Sequence, residues 1–375
     1  MADLPSDEPA EIFVLSRPHG TVRATGVAEG FTDAHEAADA LRTGRVGGVT
    51  GAIPFDLADD AALLVPESIE HTSTPLAGTP ARAHRVSDVV HVPDASTHRD
   101  RVAAAIADIT AGALDKVVLA RSVRFTVDPA VNVGDLLGAL AHGNPEHNAF
   151  VADIAMSADD DGGAARWLIG ASPEVLLRKQ GLTVTCRPYA GSAARSSDPE
   201  ADRAAAQALL ASAKDRAEHA FVVDHVRRVL TPLCTDLDVP DQPELMSTGE
   251  VWHLATPVRG TLADPRVTAL DLAVALSPTP AVGGTPQIAA AQFISEHEEP
   301  RGLYGGAVGW CGAGGDGEWM VTIRCAELSD DRRRVRTWAG GGIVAGSEPG
   351  AEFDETSAKL RTVLNALGVD PAAIA

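Results

Sequence analysis

One segment constrains this chain more than any other: Ala339-Gly-Gly-Gly-Ile-Val-Ala-Gly-Ser-Glu-Pro-Gly-Ala-Glu-Phe-Asp-Glu-Thr-Ser-Ala-Lys359. Consecutive glycines strip the Cβ atoms from a stretch of backbone, so N–H groups can turn toward an anion and other groups can approach closely. The pattern predicts a glycine loop that runs into an acidic helix. In that helix Glu352, Glu355 and Lys359 are three and four residues apart and share one face. Carboxylates there suit a hard cation, and the ammonium suits a substrate carboxylate. Taken alone, a flexible loop followed by an exposed Glu–Lys pair fits at least as well.

The 375 residues carry a formal charge of −21, which opposes nonspecific attraction to nucleic acid and to anionic membranes. An anionic small substrate would also be repelled at long range, so its site needs local cations or a metal. Lys116, Lys179, Lys214 and Lys359 are the only lysines among 31 basic residues. Each is of interest, because Lys loses its proton on desolvation far more readily than Arg. Cys186, Cys234, Cys311 and Cys325 form no Cys-x-x-Cys pair, so neither a zinc ribbon nor a redox motif is indicated. With no apolar run of membrane-spanning length and no secretion-signal pattern at Met1-Ala-Asp-Leu-Pro, a soluble cytoplasmic protein is expected.

Residues up to about 95 mix short apolar runs with Pro66, Pro75, Pro80 and Pro93, predicting strands with irregular connections. Val102, Ile106, Ile109 and Ala113 then recur at helical spacing, and Lys116 to Val127 reads as a long strand. Strands are expected at Trp167–Gly170, Val175–Arg178 and Leu182–Cys186, and one long helix from Pro199 to Leu230. Val251–Val258 reads as a strand, as does Trp319–Leu328, which turns at Ser329-Asp330-Asp331 into Arg332–Trp338. Ser157–Gly163 and Gly312–Gly317 read as exposed loops. Hairpins with long intervening helices imply an α+β fold with antiparallel sheets, and no G-x-G-x-x-G or P-loop pattern supports a nucleotide cofactor.

Separated segments share a further pattern: Lys116-Val-Val-Leu-Ala-Arg121, Gly170-Ala-Ser-Pro-Glu174, Ala190-Gly-Ser192, Lys214-Asp-Arg-Ala-Glu-His219, Trp252-His-Leu-Ala-Thr256, Pro278-Thr-Pro-Ala-Val-Gly-Gly284, Ile323-Arg-Cys-Ala326 and the C-terminal glycine segment. In this order they resemble the chorismate-utilising enzymes, most closely those that form isochorismate. The resemblance implies a single chorismate-binding domain over residues 1–375, with 96–365 as the catalytic core and 1–95 matching loosely. It also implies two large antiparallel sheets packed between helices, and Mg²⁺ as cofactor.

Isochorismate forms when water adds at C2 of chorismate while the C4 hydroxyl departs and the ring double bonds shift. One group must activate water and another must protonate the leaving hydroxyl. The resemblance makes Lys116 the base and Glu174 the acid. It assigns Glu218 and Glu355 to the metal, with Glu352 one turn away as a further candidate, and Mg²⁺ needs no more than one or two protein carboxylates beside water and substrate oxygens. Arg324 and Lys359 match positions that bind the side-chain carboxylate, with Gly340, Gly341 and Gly342 as backbone donors. The resemblance places His253 near the substrate ring, where a hydrogen-bonded core histidine fits equally well, and Ser192 at the ring carboxylate.

The nearest alternative is a salicylate synthase, which keeps both the lysine and the glutamate and then eliminates pyruvate. The amination branch of the family commonly depends on a glutaminase subunit, and Lys116 argues against it. Without the resemblance, Lys116 reads as a strand-end lysine, Glu218 as a solvated helix residue and Arg324 as a strand arginine paired with an acid. Cys311 in Gly-Trp-Cys-Gly-Ala only half resembles a nucleophile elbow and reads as a structural thiol.

Overall fold

A computed structural model describes residues 10–156, 165–196, 198–248 and 251–374. The expected Ser157–Gly163 loop lies outside the described residues. Strand Lys116–Asp128 is buried along nearly its whole length, which explains why it reads as a continuous apolar run rather than an alternating one. It sits in a ten-stranded antiparallel sheet, between Gly284–Thr285 and Arg85–Val92 on one side and Arg334–Ile343 on the other. Beyond Arg334–Ile343 follow Cys325–Ser329, Ala165–Gly170, Ala149–Asp153, Glu11–Arg17, Gly20–Thr25 and Ser68–Thr72. The second sheet has nine strands in the order Cys234–Asp238, Val258–Leu262, Thr183–Cys186, Val175–Gln180, Gly317–Val321, Ala307–Gly312, Gly48–Ile53, Ala62–Val65 and Glu29–Phe31. A small third sheet pairs Tyr189–Ala194, Val251–Ala255 and Glu244–Thr248.

The two large sheets face each other across one apolar layer, in which Phe13, Phe150, Leu168 and Trp338 of the first meet Met320 of the second. Helices Val133–His142 and Pro349–Ala366 cover the outer face of the ten-stranded sheet through Leu136, Leu140, Leu360 and Val363. Helix Ala269–Leu276 covers the other sheet through Leu270 and Leu272, while helix Gln287–His297 packs Phe293 near the Lys116–Asp128 end of the first sheet. This is the expected α+β arrangement, two antiparallel sheets between helices. Residues 11–72 supply strands to both sheets, so the N-terminal quarter is interleaved with the rest.

Three long elements break where a single one was expected. The helix from Pro199 to Leu230 is two, Pro199–Ala211 and Ala213–Leu230, because Ser212 adopts extended geometry and its side chain accepts from Asp215 N at 3.2 Å. Ser competes with the helix backbone in this way, and here it starts a new helix. The strand expected over Val251–Val258 ends at Ala255, since Pro257 cannot donate to a ladder, and the chain resumes at Val258 in a different sheet. Trp319–Leu328 likewise divides into Gly317–Val321 and Cys325–Ser329, one in each large sheet. All four cysteines are free. None of the described helices is long and apolar enough to cross a membrane.

Candidate active site

Lys116 is the first residue of its strand and only 2% exposed. Its Nζ donates to Glu218 Oε1 at 2.8 Å. Glu218 reaches it from helix Ala213–Leu230, whose direction is set by the Ser212 break. Burial alone would raise the Glu218 pKa, but the charge and hydrogen bond of Lys116, with Lys214 and Lys359 behind them, hold it below the ordinary value.

The glycine segment differs from expectation. Gly340–Gly342 belong to strand Arg334–Ile343 and lie opposite Ala120, Leu119 and Val118, so they form sheet and not a loop. The Gly340 carbonyl turns away from that partner and accepts from Lys359 Nζ at 2.8 Å. Strand alternation then points the N–H groups of Gly340 and Gly342 to the same open edge and commits Gly341 to the ladder. The lack of side chains serves close approach. A Cβ on Gly342 would lie 2.9 Å from Lys116 Cε, and one on Gly341 would lie 3.1 Å from Glu352 Oε2.

The C-terminal helix Pro349–Ala366 starts with Pro349 in its first turn and Glu348 as cap, accepting from Ala351 N at 2.8 Å. Glu352, Glu355 and Lys359 share its face as expected, with Glu355 Oε1 2.7 Å from Lys359 Nζ. Glu352 Oε2 is buried and has no hydrogen-bond partner among the described residues. Burial, and then the nearby Glu355 charge, push the Glu352 pKa up, against a hydrogen bond from Ser347.

Glu174 lies in the connection between strands Ala165–Gly170 and Val175–Gln180 and is 5% exposed. The Ser172 hydroxyl accepts from Glu174 N at 3.2 Å and the Glu174 carbonyl accepts from Val321 N at 3.0 Å, so Ser-Pro-Glu is a pinned turn and not a helix cap. Burial raises the Glu174 pKa to about 7, with the Lys116 charge pulling the other way. Arg324 is held in the left-handed region at φ 54, unusual for a bulky residue, where the chain crosses from one sheet to the other. Its Nη1 donates to Thr362 Oγ1 at 3.3 Å on the C-terminal helix, and its carbonyl accepts from Ala171 N at 3.1 Å. That bond ties the Arg324 crossing to the Glu174 turn.

His253 and Ser192 are directly paired in the small sheet. His253 Nδ1 is 3.3 Å from the Gly191 carbonyl, and burial lowers its pKa to about 4, so the ring is neutral at pH 7. Ser192 is exposed. Two residues of this region had no sequence signal, Tyr304 and Tyr189, the only tyrosines in the chain. Tyr304 is buried and stacked on Trp338, with its hydroxyl oxygen 3.2 Å from where a Gly340 Cβ would stand. Tyr189 packs its ring against His253. Their rarity in a chain of this length was the one cue available.

The Lys116 amine and the Glu174 carboxyl are both buried and interact electrostatically, with the carboxyl raised to a pKa of about 7. Arg324, Lys359 and Glu355 all act on His253, and Glu218, Glu352 and Glu355 come from two helices. The fold gathers these groups into the candidate active site of an enzyme. The family model described as chorismate binding enzyme matches residues 57–368, and the chain belongs to that family. Its match begins well upstream of residue 96, where the motifs begin. MenF of Mycobacterium tuberculosis (strain ATCC 25618 / H37Rv) is 45% identical over 364 residues, covering 96% of this chain and 97% of the relative. Isochorismate synthase DhbC of Bacillus subtilis (strain 168) is 41% identical over 377 residues, covering 96% and 94%. The crystal structure of DhbC from Bacillus anthracis superposes with a TM-score of 0.86 at 36% identity, covering 96% and 97%.

Proposed function

We infer that this protein is an isochorismate synthase that converts chorismate to isochorismate. The observation that carries the reading is Lys116 and Glu174 buried within electrostatic reach of each other, in a chain similar almost end to end to an isochorismate synthase of B. subtilis. Lys116 takes a proton from the water that attacks C2, and Glu174 gives its proton to the departing C4 hydroxyl. With a pKa of about 7, Glu174 holds that proton near neutral pH and surrenders it without a large energetic penalty. Arg324 and Lys359 hold the side-chain carboxylate, assisted by the N–H groups of Gly340 and Gly342, and the neutral His253 ring packs at the far side with Ser192 beside it.

The residues present suit Mg²⁺. Glu352 Oε2 is a buried carboxylate oxygen without a partner, and Glu218 and Glu355 add donors of the same hard type. Among the described residues no group of three or more His, Cys, Asp or Glu closes around a metal unaided, so water and substrate oxygens would complete the coordination. Bound there, Mg²⁺ would offset the repulsion between these glutamates and the ring carboxylate of chorismate. Glu218 and Glu355 are its proposed ligands, with Glu352 beside them. The proposed unit acts as one chorismate-binding domain on chorismate and water, with no glutaminase subunit, because Lys116 suits water activation and not ammonia delivery.

Purified protein with chorismate and Mg²⁺ tests the reading by chromatography of the product with a coupled pyruvate assay. Isochorismate without pyruvate is expected. Stoichiometric pyruvate with salicylate would transfer the chain to the salicylate synthases, and anthranilate formed from ammonia to the amination branch.

A further inference from the structure

Tyr189 opens strand Tyr189–Ala194 and is 8% exposed. Its hydroxyl oxygen is shielded from solvent, yet no hydrogen-bond partner is found for it among the described residues. Folded proteins pair nearly all buried polar groups, so an orphaned hydroxyl at a site calls for a bound partner. The ring cannot easily turn elsewhere: it lies tilted against His253 at 4.7 Å between centroids, and Tyr189 is fixed in register opposite Ala255.

The charges around the hydroxyl narrow what that partner is. Glu174 and Arg324 act on it, and so do Glu146 and Arg17. The second pair is already engaged: Arg17 donates to Glu318 Oε1 at 2.8 Å and to Asn148, and Asn148 donates to Glu146 Oε2 at 3.2 Å. Of the first pair, Arg324 makes one long bond, Nη1 to Thr362 Oγ1 at 3.3 Å, so the flank between the buried carboxyl and the guanidinium is the less committed one. Burial, reinforced by the Glu174 charge, keeps the phenol well above its usual pKa, so it stays a donor.

We propose that the Tyr189 hydroxyl donates a hydrogen bond to an oxygen of the bound substrate on the flank between Glu174 and Arg324, making Tyr189 a substrate-binding residue. This rests on the chorismate reading above. If Glu174 serves the C4 hydroxyl and Arg324 the side-chain carboxylate, the oxygens between them are those of the enolpyruvyl ether at C3 and its carboxylate. A donor there holds the side chain against the ring, and it rewards substrates that carry this group over ring acids that lack it.

Tyr189→Phe removes the single oxygen and keeps the ring on His253. The expected result is a KM for chorismate about five- to tenfold higher, the loss of one hydrogen bond, with kcat within about twofold. Because the hydroxyl has no protein partner to lose, the free variant should melt no lower than wild type, while the stabilisation conferred by added chorismate shrinks. An unchanged KM overturns the proposal. So does a lower melting temperature with the chorismate-induced shift intact, which would mean the hydroxyl bonds the protein. Failure of wild type to convert chorismate would instead overturn the underlying reading, and the same assay shows it before the variant is measured.

Discussion

Replacing Glu174 by Gln removes a proton donor while preserving size and burial, and the structure sets two separate magnitudes for the result. The first concerns rate: a general acid contributes roughly 10²–10⁴-fold, so kcat should fall by that factor with chorismate binding largely kept. The second concerns stability. Burial raises the Glu174 pKa from 4.5 to about 7, which at 1.36 kcal/mol per unit is about 3 kcal/mol. The sign follows from proton counting. Between pH 4.5 and 7 the unfolded chain has released this proton while the folded chain still binds it, so wild-type stability declines as pH rises through that window. Above pH 7 the full penalty of a buried carboxylate is present. Gln carries no such charge, so the variant should gain on wild type from pH 5 to pH 8 by an amount approaching 3 kcal/mol, read by denaturant or thermal unfolding at several pH values. Wild-type kcat/KM should also drop above about pH 7 as the acid loses its proton. Near-wild-type turnover by Glu174→Gln, or a stability difference flat across pH 5–8, would refute the assignment of a buried, protonated acid.

Four further outcomes are expected. Lys116→Ala should abolish turnover by a similar factor of roughly 10²–10⁴ while circular dichroism stays native, since it removes the base and leaves the anion contacts; turnover close to wild type contradicts the role. Glu218→Ala should weaken Mg²⁺ binding in calorimetric titration and also cost about 1–3 kcal/mol of stability, because it strands the buried Lys116 Nζ without its hydrogen-bond partner. Glu355→Ala should weaken Mg²⁺ binding without that loss. Lys359→Ala should raise KM by roughly 10–100-fold, the scale of a hydrogen bond to a charged group, with Lys359→Arg failing to rescue; unchanged kinetics would make it a surface partner of Glu355 alone.

The parts of this molecule that could be read from its sequence are those governed by local pattern. The buried strand from Lys116 announced itself by continuous apolar residues, and the face carrying Glu352, Glu355 and Lys359 by helical spacing. Where the reading failed, a nonlocal partner decided. Glycines that look like a loop become strand because Val118–Ala120 pair with them, a contact separated by more than two hundred residues. A serine inside a helical pattern gives no sign that its hydroxyl will cap a new helix, and the break at Ser212 is what aims Glu218 at Lys116. Arg324 carries no local cue to its positive φ, because the crossing between sheets imposes it. Burial is likewise a tertiary property. It sets the Glu174 proton affinity and hides the Tyr189 hydroxyl, and neither follows from the flanking residues.

The central claim is that Lys116 directs a solvent water onto C2 while Glu174 expels the C4 hydroxyl. Turnover of chorismate in ¹⁸O-enriched water, followed by mass spectrometry of the product before equilibrium is reached, tests it most directly. Isochorismate carrying one ¹⁸O atom in its new hydroxyl, with no pyruvate released, is the predicted result; isochorismate formed without label, or a product lacking the enolpyruvyl group, would contradict it.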